Sequence, residues 1–368
     1  MKKTRRIEAL FELARIVAAL LVAYAAALAI LFLISDDPVY VIGQFVKGPF
    51  STARRFGNVV SLATPFMFTG LCMCFMYAVG KFNLVGEGVF LFSGCMASVF
   101  AISFAGSGMP GWLMAAAMIG IGALCGGAIT AIPALLDSRF KANVVVISLM
   151  MNYILNLFVQ YVLKYRIKDS TIAYTASVEL PARASLPELF PKTTIHLGFA
   201  LALACVAAVC ALFYKTAFGF SLRMVGSNPG FARYAGIGIA GATVLAQVAG
   251  GVFAGMGGAV EIMGMYRRFQ WVGMTQHGFD GLMVAVLAKR NPAFVPVAAF
   301  LLAYIRIGAD IVNRTTDIPA EFVTIVQGII ILLVAAELFL AGFKDRLIFK
   351  SAKDGLAKDG LAKAGGEA

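Results

Sequence analysis

The 368-residue chain is poor in charge: 14% of its residues are Asp, Glu, Lys or Arg, against 60% hydrophobic, and the mean hydropathy is +0.86. Soluble domains carry about 25% charged residues, so this chain has too little polar surface to coat a water-soluble body. It has only two histidines, His196 and His277, and its six cysteines (Cys72, Cys74, Cys95, Cys125, Cys205, Cys210) all lie inside apolar runs. Neither set has zinc-ligand spacing, and Cys72 and Cys74 point to opposite sides of a helix. The cysteines therefore read as small buried hydrophobes, and no metal site is expected. A phosphate-binding G-x-x-x-x-G-K-[ST] loop is missing too, because Gly80-Lys81 is followed by Phe82 and position 75 is Phe75. With no H-E-x-x-H, no G-x-S-x-G and no Cys/His cluster, no catalytic residues are expected and the chain does not read as an enzyme. The net charge of +12 is spread between hydrophobic runs rather than gathered with aromatics on one face, which argues against nucleic acid as a partner.

What the chain does have is apolar runs of about 20 residues, the length of a membrane-crossing helix. Ten-residue alternating segments of the outer-membrane barrel kind are absent. The expected fold is an all-α integral membrane protein of about ten transmembrane helices, one or more of them broken, with both termini cytoplasmic. The spans fall at 16–34, 58–80, 84–105, 112–136, 142–163, 194–214, 238–262, 279–289, 293–312 and 322–342. The first follows a basic start like a signal peptide, but no small-residue cleavage site closes it, so it reads as a retained span. The eighth is short and opens on glycine, so it reads as broken or partly crossing. Residues 1–15 form a cytoplasmic tail, 16–342 the transmembrane domain, and 343–368 a flexible tail that repeats Ala-Lys-Asp-Gly-Leu. Basic residues favour the side that holds the termini, which the positive-inside rule assigns to the cytoplasm. A long outer loop, 164–193, carries Pro181, Pro187 and Pro191, and loops of that length are usually functional or disordered.

Charges within or beside the spans call for a reason, because burying them in lipid is costly. Glu261, Asp310 and Glu337 lie near span ends and read as interfacial carboxylates with local partners. Glu87 and Asp280 keep a secondary carrier, driven by a proton or ion gradient, in view as an alternative. Arg306 is a basic residue within a span.

Two stretches are not explained by hydrophobicity. Lys81-Phe-Asn-Leu-Val-Gly-Glu-Gly88 opens the third span with two glycines around a carboxylate, which interrupts helix propensity at membrane depth. Such breaks are tolerated where they line a cavity or a protein contact, and Asn83 with Glu87 suits either a polar solute or a helix contact. The inner loop 215–237 carries Gly219 and Gly226, which read as turn or helix-stop points. Asn228-Pro229 is then a helix-start signal for a short amphipathic helix over Gly230–Ala235 with Arg233 on it. A short cytoplasmic helix of that kind can dock into a groove of another protein.

On these residues the chain resembles a family. Phe218-Gly-Phe-Ser-Leu-Arg-Met-Val-Gly-Ser-Asn-Pro with Ala232-Arg-Tyr-Ala-Gly-Ile is similar to the cytoplasmic coupling loop of ABC importer permeases, in the nucleoside and simple-sugar branch related to the ribose and branched-chain amino acid permeases. Phe82-Asn-Leu-Val-Gly-Glu-Gly, Val146-Ile-Ser-Leu-Met-Met-Asn-Tyr-Ile and Gly278-Phe-Asp-Gly-Leu-Met-Val-Ala-Val-Leu-Ala-Lys-Arg-Asn-Pro resemble further motifs of that branch, in the same order along the chain. Val89 stands where the branch often has Gln, and Lys289 where it often has Gly. The first of these touches the expected solute path, so the branch's usual solute does not carry over automatically.

The resemblance implies a permease subunit of an ATP-driven importer in a bacterial cytoplasmic (inner) membrane. It implies four partners: a cytoplasmic ABC ATPase, a second permease subunit (identical or homologous), an extracytoplasmic solute-binding protein and membrane lipid. This chain itself would hold no cofactor, since ATP and Mg sit on the partner ATPase. Gly219, Arg223, Gly226, Asn228, Pro229, Ala232, Arg233 and Gly236 would form the ATPase-coupling surface. Phe82, Asn83, Glu87, Asn152 and Asn156 would line the solute path, where amides suit hydroxyl-rich or heterocyclic solutes and Phe82 could stack on a base. Helix–helix hydrogen bonding is an equal reading for Asn152 and Asn156. An inverted repeat of spans 2–5 and 7–10 would add Asp280 as the counterpart of Asn83. The expected cargo is a nucleoside or similar solute, with simple sugars and riboflavin-like heterocycles as alternatives.

Overall fold

The structure is a computed structural model that describes residues 38–315 and Gly328. The expected spans at 16–34 and, Gly328 apart, 322–342, both tails (1–15 and 343–368) and Glu337 lie outside the described residues. Within them the chain is helical: α1 Pro38–Lys47, α2 Ala53–Ala78, α3 Gly86–Ser103, α4 Gly111–Phe140, α5 Val144–Tyr165, α6 Leu197–Lys215, α7 Ala217–Ser227, α8 Pro229–Tyr234, α9 Ile239–Met265, α10 His277–Leu287 and α11 Val295–Thr315. Seven of these helices (α2 to α6, α9, and α11 with the turn before it) are long and apolar enough to cross a membrane. Each matches an expected span to within a few residues. The eighth expectation corresponds to α10, whose 11 residues extend only about 16 Å, short of a ~30 Å hydrocarbon core.

Residues Gln44–Ile311 form one compact unit. At the centre of the unit is α2, whose apolar window is 94% buried, against 28% for α5 and 33% for α4 and α6. The outer helices turn large apolar residues away from the protein, among them Leu124, Ile154, Leu157 and Leu203, as lipid-facing helices do. α9 packs along α2, α3 and α4. Its approach to α4 is backbone to backbone: a Cβ at Gly122 or Gly126 would overlap the Gly255 and Gly251 carbonyls opposite. Small residues of this kind let helices close by van der Waals contact where lipid supplies no hydrophobic drive.

Two helices start late. α3 follows a non-helical stretch over 81–84, and α10 follows a longer one over 266–276. The long loop 164–193 holds the second of these in place. Backbone pairing joins Ser177 N–H to the Phe269 carbonyl (2.9 Å), Leu180 N–H to Arg267 (2.9 Å) and Leu186 N–H to Met263 (3.0 Å). Isolated bridges Lys168–Ser177 and Glu188–His196 fold the loop on itself. Asp169 ties the two segments together, accepting from the Thr171 hydroxyl (2.6 Å) and pairing with Arg268 (2.5 Å). The loop is thus ordered, and it works as a brace for the segment leading into α10.

Hydrogen bonds from Thr171, then the Arg268 guanidinium, hold the Asp169 carboxyl at about 2, below its ordinary 3.8. A carboxyl lowered by folding stabilises the folded loop fully above its unfolded value and loses that contribution as pH falls through the folded one. In a Trp112→Phe background, Trp271 fluorescence should therefore hold steady down to about pH 4 and change between about 4 and 2. An Asp169→Asn variant should give the loosened signal across the whole range. An identical titration in both proteins would remove Asp169 as the brace.

Candidate functional site

The two late-starting helices meet each other. Neither supplies a side-chain cap for its own first turn: the residue before α3 is Val85 and the residue before α10 is Gln276. Unpaired N–H groups at a buried helix start must find acceptors elsewhere, and each start takes one from another span.

For α3 the acceptor is Asn152 on α5. Its Oδ1 accepts from Gly88 N–H (2.9 Å) and its Nδ2 donates to the Leu84 carbonyl (2.9 Å). The Ser148 hydroxyl accepts from Leu84 N–H (3.0 Å) one turn earlier. Asn83 closes the turn from within, its Oδ1 accepting from Val85 N–H (3.1 Å) while its Nδ2 donates to Gln247 on α9 (2.7 Å).

For α10 the acceptor is Glu87. One carboxylate oxygen takes Gln276 N–H (2.8 Å) and the Thr275 hydroxyl (3.2 Å), and the other takes Gly278 N–H (2.7 Å). Glu87 is itself in the first turn of α3, so one carboxylate sits at the positive ends of two helices. That accounts for an acid buried to 0% exposure with donors on both oxygens. A Cβ at Gly278 would overlap the Glu87 backbone, so a glycine is required for the approach. Gln276 takes a left-handed conformation (φ 66), uncommon outside glycine.

One turn further on, Asp280 Oδ1 pairs with Arg306 of α11 (2.5 Å), and the guanidinium lies over the Phe66 ring at 5.7 Å. His277 packs edge-on against Phe66 and Phe90, and Phe90 stacks on Trp271. Asp280 is therefore joined to α11, and Asn83 to α9. Phe82 is apart from this junction, 40% exposed and tilted against Tyr77. Asn156 lies one turn beyond Asn152, and its Oδ1 is buried with no partner among the described residues. Sequence reasoning missed Gln247, Ser148 and Thr275, which carry no pattern of their own, and left Arg306 without a role although a lone cation within a span was the available signal.

The stretch 215–237 folds into α7 and α8. Here one expectation is corrected: Gly219 and Gly226 are neither turns nor stops but lie inside α7. Their lack of a side chain serves close approach instead, Gly219 to the backbone of Leu212 and Phe213, and Gly226 to the Ala78 carbonyl at the end of α2. α8 starts as the sequence indicates. The Asn228 side chain accepts from Phe231 N–H (3.0 Å), and Pro229 takes the first helical position. Ala232 is buried, and Gly236 (φ 78) ends the helix, with Ile237 N–H reaching back to the Ala232 carbonyl (2.9 Å). Arg223 donates to the Gly219 carbonyl (3.3 Å) and lies over the Tyr214 ring (5.2 Å). Arg233 is exposed, beside Phe231 at 54% and Tyr234 at 94% exposure.

Comparison with known proteins gives a consistent result. The family model for the branched-chain amino acid transport system / permease component matches residues 55–335. The chain is 31% identical to the guanosine ABC transporter permease protein NupP of Bacillus subtilis, over 79% of this chain and 83% of that one. It is 28% identical to the nucleoside ABC transporter permease protein NupB of Lactococcus lactis, over 82% and 84%. It is 26% identical to the glucose ABC transporter permease protein TsgB13 of Haloferax volcanii, over 82% of both.

The Asp280–Arg306 pair allows a direct energetic test. Breaking a buried ion pair from one side leaves the other charge stranded, which costs about 3–5 kcal/mol; partial exposure of Arg306 places the cost near the lower end. Asp280→Asn and Arg306→Met should each destabilise the detergent-solubilised protein by about 3 kcal/mol, and the double variant by clearly less than the two combined. Strict additivity in chemical denaturation would show that the pair is not coupled.

Proposed function

The chain belongs to the branched-chain amino acid transport system / permease component family, as a multi-pass transport subunit of an ABC transporter, and on that premise we propose that it forms the import path for a nucleoside. The observation that carries the reading of an externally driven permease is the inner surface. α7 and α8 present exposed aromatics (Phe220, Phe231, Tyr234) beside Arg223 and Arg233, with α7 seated backbone to backbone on the end of α2 through Gly226. A partner ATPase gripping that surface would push on α2 and on the 81–85 stretch together. The alternative of a carrier driven by Glu87 or Asp280 loses support, because donors of this chain already engage both oxygens of Glu87, and Arg306 engages Oδ1 of Asp280.

In this reading two such subunits, identical or homologous, enclose the path, and a solute-binding protein delivers cargo on the side of the long loop. The membrane is a bacterial cytoplasmic membrane. Phe82 supplies an exposed ring on which a base can stack. Asn83, Glu87, Asn152 and Asp280, with Asn156 whose Oδ1 is buried, act on the path from behind, by fixing the wall that presents that ring. The guanosine and nucleoside permeases among the relatives favour a nucleoside over a simple sugar, and so does an exposed ring.

The test is reconstitution with the cognate ATPase and binding protein in proteoliposomes. Guanosine should accelerate ATP hydrolysis and accumulate inside, and ribose or glucose should not. Gly226→Ala should wedge α7 off α2 at a cost of about 1–3 kcal/mol, lowering uptake per ATP hydrolysed about tenfold while the ATPase still co-purifies. Sugar uptake without guanosine uptake would overturn the cargo. Normal stoichiometry in Gly226→Ala would overturn the coupling contact.

A further inference from the structure

On the side of the long loop, the first turns of α4 and α6 stand apart and leave a half-enclosed cavity of about 720 Å³ between them. Its walls are Trp112 and Ala116 of α4 and Leu201 and Ala204 of α6, with Arg183 and Ser185 of the loop at the rim. The space follows from the sequence, since alanines face it from both helices where larger side chains would have closed the gap. The volume is that of a ligand site, within the usual range of about 300–1,000 Å³. The lining is apolar except at the top.

We propose that this groove holds one phospholipid, an acyl chain lying between α4 and α6 and the phosphate meeting Arg183. Three observations select that occupant. The walls belong to the first eight or so residues of two membrane spans, so the groove opens at the depth where lipid chains begin, roughly the outer 12 Å of the helices. Trp112, 74% exposed at the start of α4, marks that depth as indole rings mark the edge of the hydrocarbon. Polarity is graded along the groove as it is along a lipid: a guanidinium and a hydroxyl at the rim, only apolar groups below. Arg183 is itself exposed. It spends two N–H groups on the carbonyls of Met109 (3.3 Å) and Ala105 (3.2 Å), which leaves donors of its five for a phosphate. No carboxylate pairs with it among the described residues.

A lipid seated there would couple the brace to the bilayer, because Arg183 and Ser185 belong to the same loop that pairs with residues 263–269. The inference is independent of which solute the permease carries.

The full-length protein in proteoliposomes is photolabelled with phosphatidylglycerol carrying a diazirine in its acyl chain, and the labelled peptides are mapped by mass spectrometry. Label should concentrate on 112–119 and 197–204, well above the exposed face of α5 at Tyr153 and Leu157. Filling the groove with Ala116→Phe and Ala204→Phe should reduce that labelling several-fold while α5 labelling stays unchanged, which reports a folded protein. Arg183→Gln, a surface change, should keep the chain label but abolish the preference for phosphatidylglycerol over a phosphatidylcholine probe. Even labelling of all exposed helices, or labelling indifferent to filling, would overturn the proposal. So would an Ala204→Cys variant that cross-links to a second permease chain instead of taking the lipid probe.

Discussion

The structure depends on one carboxylate. Glu87 sits in the first turn of α3 and caps the first turn of α10, so the positive ends of two interrupted helices converge on a single buried acid. A charge at that depth is normally ruinous. Here the peptide dipoles and three donors replace the water it lost. Remove the acceptor and the start of α10 has no cap of its own, Gln276 loses the bond that holds its left-handed turn, and the segment 266–276 keeps only its outer fastening. The Asn152 cap on α3 is the same solution one layer away.

This frame is connected to α7 and α8. From Gly226 of α7, contact passes to Ala78 at the end of α2, and Gly80 lies beside the same glycine. The chain then runs through Lys81, which pairs with Asp137 of α4 (2.6 Å), to the Glu87 junction and by Asp280–Arg306 to α11. Each step is a packed or hydrogen-bonded contact, which is the kind of connection that can carry a displacement between distant sites. The loop brace adds a further fastening, with Asp169 and Arg268 holding the stretch that leads into α10.

Much of this was legible in the sequence, and the reason differs by element. Spans are written in runs of apolar residues, a one-dimensional signal, so α2 to α6, α9 and α11 fell where expected. The start of α8 was legible because Asn228-Pro229 is a local cap code. Interrupted helices at Gly86–Gly88 and before Gly278 were also visible as glycine at membrane depth. What joins them was not, because a cap borrowed from another helix leaves no mark near the residues it serves. Gly219 and Gly226 misled for a related reason: glycine signals a turn or a close contact with the same letter, and only the neighbouring backbone decides between them. The polar residues Asn83, Glu87 and Asn152 announce that something polar happens at depth. Their partners, Gln247, Gly88 and the amides of Gln276 and Gly278, were supplied by the fold.

The most direct measurement is amide hydrogen exchange at the start of α10 in the intact permease. With Glu87 present, the Gln276 and Gly278 amides should exchange as slowly as the interior of α9. In Glu87→Gln, which keeps one acceptor oxygen and gives up the charge, they should exchange much faster while the amides along the α4–α9 contact remain protected. Rapid exchange of Gln276 and Gly278 in the unaltered protein, at the pace of an exposed loop, would contradict the account.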